Sequence, residues 1–165
     1  MHNNSNNIVS EDGQLDDGAD VVCQRLKVLL TSVSSDSHTW NLVFMQLLLE
    51  EQGHQVINLG PCVPDEMIIE QCQSELPNML VVSTVNGHGN IDGERLIRKL
   101  RQVPTLQHLP AVIGGKLGTR GGDNLVYNQT LLQAGFSAVF EDAGGITQFQ
   151  NFLRNVADKL PNSQE

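Results

Sequence analysis

The chain has 165 residues, enough for one domain with a sizeable core, and with 39% hydrophobic but only 4% aromatic residues that core is expected to consist mainly of Leu, Ile and Val. Its formal charge of -9, from 10 Lys and Arg against 19 Asp and Glu, argues against nucleic acid as a partner. The longest apolar runs, MLVVS and LVFMQLLL, fall well short of the ~20 residues that cross a bilayer, and the N-terminus has neither a basic nor an apolar signal region, so no membrane association and a cytoplasmic location are expected.

Residues 1–22 are rich in Asn, Asp, Gly and Ser and hold Glu11, Asp12, Asp16, Asp17 and Asp20 without a single Lys or Arg. This stretch has little to bury and reads as a disordered acidic leader. Residues 23–160 read as one domain and 161–165 as a disordered tail. Within the domain, strand-like runs alternate with helix-length segments. Leu26 to Val33 precedes a helix over Trp40 to Gln52, and Gln55 to Leu59 precedes one over Pro64 to Glu75. Met79 to Thr84 is followed by Ile91 to Val103, Ala111 to Ile113 by Asn124 to Ala134, and Ala138 to Phe140 by Ile146 to Lys159. That alternation is the pattern of βαβ units.

Local signals support several boundaries. Gly53 and Gly135 follow helical runs where a left-handed C-cap is wanted. Pro64, Asp65 and Glu66 suit a first helical turn, and Asp123 is placed to cap the helix after it. The expectation is a flavodoxin-like, doubly wound α/β domain with five parallel strands in the order 2-1-3-4-5. Cys23, Cys62 and Cys72 are odd in number and form no CxxC pair, so they read as buried or idle thiols rather than a disulfide framework or a zinc site.

In such sheets ligands bind beyond the carboxyl ends of the strands, at the point where strand order reverses. Three unusual segments fall there: SDSHTWN after strand one, STVNGHGN after strand three and GGKLGTRGG after strand four. His38 could ligate a metal through one ring nitrogen while Asp36 accepts a hydrogen bond from the other. By themselves the two residues more often describe a surface histidine beside a helix-capping aspartate. One histidine cannot hold a bare zinc ion, so a metal here must arrive with most of its coordination filled. Gly114 and Gly115 allow close approach of a bulky ligand or simply form a turn. Lys116 and Arg120 could meet a phosphate, Ser83 offers a hydroxyl, and Gly87 and Gly89 lead towards the next helix, whose N-terminus favours negative charge.

Taken together, Asp36-x-His38, Ser83-x-Val85 and Gly114-Gly115 resemble the cobalamin-binding domain family, whose pattern is DxHxxG, SxL and GG. Within it, VVSTVNGHGNIDGERLIRKLRQ and VIGGKL are most similar to the small subunits of glutamate (methylaspartate) mutases. The resemblance implies a cobalamin held with its own base displaced and His38 as lower axial ligand of cobalt, with Asp36 behind it. It further implies that Ser83 hydrogen-bonds the displaced base and that Gly114 and Gly115 line its slot. Ser35, Asp36, Ser37, His38, Thr39, Trp40 and Asn41, then Ser83, Thr84, Val85 and Gly87, then Lys116, Leu117, Gly118, Thr119 and Arg120 are implied to surround corrin and tail. The sequence departs from the pattern at Asn41, where the family has Gly, at Val85 for Leu, and at Glu141 and Asp142, where the family carries an uncharged loop.

The resemblance implies the cofactor-carrying subunit of an adenosylcobalamin-dependent carbon-skeleton mutase, converting L-glutamate to 3-methylaspartate through a 5'-deoxyadenosyl radical. A large TIM-barrel subunit would bind the substrate, and the chain would be inactive alone. The alternatives are a corrinoid carrier in methyl transfer and a stand-alone cobalamin-binding sensor; the cofactor is expected to be adenosylcobalamin, with methyl- or hydroxocobalamin as other possible forms. A flavodoxin-like receiver would need paired acids after the first strand and a Lys after the fifth, an arrangement absent here. His54 is expected at the surface, His108 in a loop and His88 facing solvent. Trp40 is expected to cover the corrin edge, meet a partner or pack at the helix start.

Overall fold

The computed structural model describes residues 24–119, 124–141 and 144–161. The expected leader, Arg120, Gly121, Gly122, Asp123 and Asp142, Cys23 and the end of the tail lie outside them. Five strands, β1 (Lys27–Thr31), β2 (Gln55–Asn58), β3 (Met79–Thr84), β4 (Ala111–Gly115) and β5 (Ala138–Phe140), alternate with five helices. These are α1 (Trp40–Glu51), α2 (Asp65–Glu75), α3 (Gly89–Arg101), α4 (Asn124–Ala134) and α5 (Gly145–Asp158). All strand pairs are parallel and the order is β2-β1-β3-β4-β5, as expected from the sequence. The switch point lies between β1 and β3.

The two faces of the sheet follow from side-chain alternation along each strand. Leu29, Leu80, Val82 and Ile113 point to the face covered by α2, α3 and α4, where Ile68, Leu96, Ile97, Leu100 and Leu131 complete one core. Val28, Leu30, Val81 and Val112 point the other way, against Leu42 and Leu49 of α1 and Phe149, Leu153 and Ala157 of α5. Three helices thus cover one face and two the other.

Several boundaries differ from the expected ones. β1 stops at Thr31 rather than Val33, and β4 runs on to Gly115 because Gly114 and Gly115 pair with Ser83 and Thr84 of β3. α3 begins at Gly89, two residues early, and a 3-10 turn at Pro104–Leu106 was not anticipated. Pro64 is the N-cap of α2 and not part of the helix. Gly53 (φ +86°) and Gly135 (φ +132°) do adopt the left-handed region after their helices. His54 is buried, contrary to expectation, because its Nδ1 accepts the backbone N–H of Leu26 at 3.2 Å, joining the start of β2 to the start of β1.

Candidate functional site

The loop after β1 folds over a buried carboxylate. Asp36 is fully buried, and its two oxygens are filled from both sides of the switch point. Oδ1 accepts the backbone N–H of His38 at 3.0 Å and lies 2.6 Å from His38 Nδ1. Oδ2 accepts the Thr84 hydroxyl and the Val85 backbone N–H, both at 2.7 Å. Burial acting alone raises the pKa of such a group, but hydrogen bonds from Thr84, Val85 and His38 outweigh it and hold Asp36 at about 2. The group is therefore a permanent carboxylate that anchors His38 through Nδ1. Among the described residues Nε2 of His38 meets no hydrogen-bond partner, and the side chain is 48% exposed.

A second polar network holds the same loop from beneath. Arg95 of α3 reaches Asp65 of α2 through two nitrogens at 2.7 and 3.1 Å, Asp92 at 2.6 Å and Ser34 at 3.0 Å. Ser35 donates to Asp92 and accepts Asn86 Nδ2 at 2.9 Å. The loop after β4 is stitched to the loop after β3 by backbone bonds: Lys116 N to Thr84 O at 2.9 Å, Gly87 N to Lys116 O at 3.2 Å, and Asn90 N to Leu117 O at 3.0 Å. The described parts of the three expected segments converge at the carboxyl ends of β1, β3 and β4.

Beside His38 a cavity of about 510 Å³ opens between the sheet and helices α1 and α5. Its walls are apolar, formed by Val81, Val112, Phe140, Phe44, Met45, Ile146 and Phe149, with Phe140 and Phe149 packed edge to face at 5.5 Å. His38, Trp40, Asn41, Ser83, Val85, Gly114, Gly115 and Lys116 also line it. Lys116 and Trp40 are exposed, the latter by 64%. Gly115 is required by the backbone: φ is +106° and a Cβ would lie 2.1 Å from Thr84 O. At Gly114 a Cβ would lie 2.9 Å from Phe140 O, so the missing side chain lets β4 and β5 approach.

The other candidates lie around the cavity rather than in its wall. Thr84 turns its hydroxyl to Asp36, and Ser35 turns to Asp92. Ser37 is exposed, and Thr39 is the N-cap of α1, accepting Leu42 N and Val43 N through its carbonyl. Leu117 packs in the core beneath α3 and α4. Gly87 lies against Thr119, and Gly118 against Tyr127.

Sequence reasoning missed two features. The apolar wall contributed by Phe44, Phe140 and Phe149 was masked because each also reads as ordinary core. The Asp65–Arg95–Asp92 group joins two helices, and only the i,i+3 spacing of Asp92 and Arg95 was visible in the sequence. Among the described residues no three His, Cys, Asp or Glu form a group able to hold a metal ion. No described helix is long and apolar enough to cross a membrane.

A family model described as the B12 binding domain matches residues 26–139. Glutamate mutase sigma subunit 1 of Haloarcula marismortui is 27% identical over 69% of this chain and 74% of its own length. A crystal structure of a cobalamin-binding protein from Desulfitobacterium hafniense superposes with a TM-score of 0.62 at 19% identity, covering 78% of this chain and 59% of that one. The receiver domain of a signal transduction histidine kinase from Syntrophus aciditrophicus superposes with a TM-score of 0.61 at 13% identity, covering 85% and 96%. The fold alone therefore serves more than one function, and the residues at the switch point must discriminate.

Proposed function

Because this chain belongs to the B12-binding domain family, we propose that it is the cofactor-holding subunit of an adenosylcobalamin-dependent carbon-skeleton mutase of the glutamate-to-3-methylaspartate type. Relatives named as glutamate mutase sigma subunits support this reading over a corrinoid carrier or a sensor. The observation that carries it is the His38–Asp36 pair at the mouth of a preformed apolar slot.

The residues present fit the group. A single histidine would suffice where a corrin supplies the metal's remaining nitrogens, and the cavity of about 510 Å³ lies in the range of small-molecule sites. Asp36, held as a carboxylate, would keep the Nδ1 proton in place, leaving Nε2 of His38 as the nitrogen that would hold the cobalt. Ser83 would donate to the displaced base, the apolar walls would exclude water around it, and Lys116 would supply a cation for the tail phosphate. When bound, adenosylcobalamin supplies a carbon-centred radical by homolysis of its cobalt–carbon bond. Substrate binding and radical control are assigned to a separate catalytic subunit of barrel type.

The test is the electron paramagnetic resonance spectrum of the Co(II) complex made with native and ¹⁵N-histidine-labelled protein. Hyperfine triplets that become doublets with the label are expected. Failure to bind cobalamin, or splitting indifferent to the label, overturns the reading.

A further inference from the structure

Helix α1 carries apolar side chains on both of its faces. Leu42, Met45, Leu48 and Leu49 turn inward to the core beside the sheet. Trp40, Val43, Phe44 and Leu47 form a stripe along the opposite side and are 64%, 53%, 46% and 61% exposed. No residue from Trp40 to Leu49 is charged. A helix that is apolar all round is ordinarily covered all round. The four outer side chains together expose on the order of 500 Å², the size of patch that marks an interaction site on a monomer.

The charges at the two ends of α1 point to what covers the stripe. Its first turn holds no acidic residue and Thr39 gives no side-chain cap, so the positive end of the helix dipole is not compensated within the helix. Its last turn ends in Glu50 and Glu51 with no basic residue, the wrong sign for that end. Among the described residues neither acid has an ion-pair partner, and Glu50 accepts only the Gln46 amide at 2.9 Å. A second α1 laid antiparallel across the first corrects both ends at once. Setting Trp40 opposite Leu47 and Val43 opposite Phe44 brings Glu50 opposite Ser37, just outside the N-terminus of the other helix, and two-fold symmetry repeats the contact. A parallel pair would instead crowd the carboxylates of both copies at one end. Because the stripe itself is uncharged, two copies of a chain of net charge -9 meet there without setting like charges against each other.

We infer that the outer face of α1 is the docking surface for a second copy of this chain, in a two-fold symmetric dimer built on an antiparallel pair of α1 helices. Two such faces bury about 1,000 Å², the lower bound for a specific interface, so the dimer is weak and reversible. It needs no bound ligand and stands apart from the corrinoid reading.

The test is sedimentation velocity of the purified full chain from about 1 to about 300 µM, the range in which an interface of this size assembles. The emission of Trp40, the chain's single tryptophan, is followed over the same range. A monomer–dimer transition is expected, accompanied by a blue shift as the indole leaves water. Leu47→Glu sets a carboxylate in the stripe and should weaken association about tenfold or more, with Val43→Glu in its place should that variant unfold. Glu50→Lys suits the dipole of its own helix better but loses the contact with the N-terminus of the second copy. Its melting temperature in dilute solution should therefore be unchanged or higher while association weakens severalfold. A monomer at every concentration overturns the inference and leaves the stripe to a partner of another kind. A dimer formed without the emission shift, or association left unchanged by either substitution, overturns it as well.

Discussion

Asp36 and Thr84 face each other across the reversal in strand order, with the threonine hydroxyl 2.7 Å from a carboxylate that no water reaches. The same carboxylate carries the backbone of Val85 and both nitrogens by which His38 is oriented. One side chain thus ties the end of β3 to the loop after β1.

Replacement of Asp36 by Asn should be felt in stability as well as in ligand binding. Charge-assisted bonds to four donors on three residues are weakened at once, so a loss of about 2–3 kcal/mol is expected in urea denaturation. A loss below half a kcal/mol would show that the network is not formed.

Acid dependence divides into two ranges. Asp36 titrates at about 2 when folded against an ordinary 3.8, so its contribution is complete above about pH 4 and is lost as pH falls through about 2. That difference amounts to about 2 kcal/mol. His54 is buried neutral, and desolvation lowers its pKa from 6.5. Its contribution is present above pH 6.5 and is lost as pH falls through the folded value, because the unfolded chain takes up the proton first. Urea midpoints should therefore decline between pH 7.5 and 5 in the native chain, and less steeply in His54→Gln.

Arg95 is expected to act on the ligand loop from a distance. Arg95→Leu leaves Asp65 and Asp92 without their shared partner and frees Ser34. Because the arginine is 41% exposed, screening limits the stability loss to about 1 kcal/mol. Cobalamin affinity should fall severalfold as the His38 loop loosens. An unchanged affinity in a folded variant would remove Arg95 from the site.

Two glycine substitutions separate strain from contact. Gly53→Ala meets nothing within 4 Å and carries only the penalty of φ +86°, about 1 kcal/mol. Gly115→Ala adds a Cβ 2.1 Å from Thr84 O to a φ of +106° and should cost more than about 3 kcal/mol, with loss of the β3–β4 register at the slot. Thermal melting of both variants checks the order.

The sheet was legible in the sequence because each strand is an apolar run bounded by polar or glycine-rich turns, and strand order followed from size and class. The convergence of the three loops was legible for the same reason. What escaped were features set by long-range contacts. His54 reads as a loop residue until Leu26, 28 positions away, gives it a donor. The early start of α3 at Gly89 runs against glycine's poor helix propensity, and the packing explains it: a Cβ there would lie 2.5 Å from Thr84 Cγ2, so only glycine fits the helix against the strand end. Asn41 was visible as a departure from a pattern, but its two bonds to Ser83 span 42 positions and no local rule reveals them.

The double duty of Asp36 has a bearing on descent. A lineage that ceased to use the site could lose His38 at little cost, since that ring is half-exposed and is held only through Asp36. The same lineage would keep its aspartate, because the fold itself depends on it. Among distant relatives, the carboxylate therefore testifies to ancestry and the imidazole to continued use.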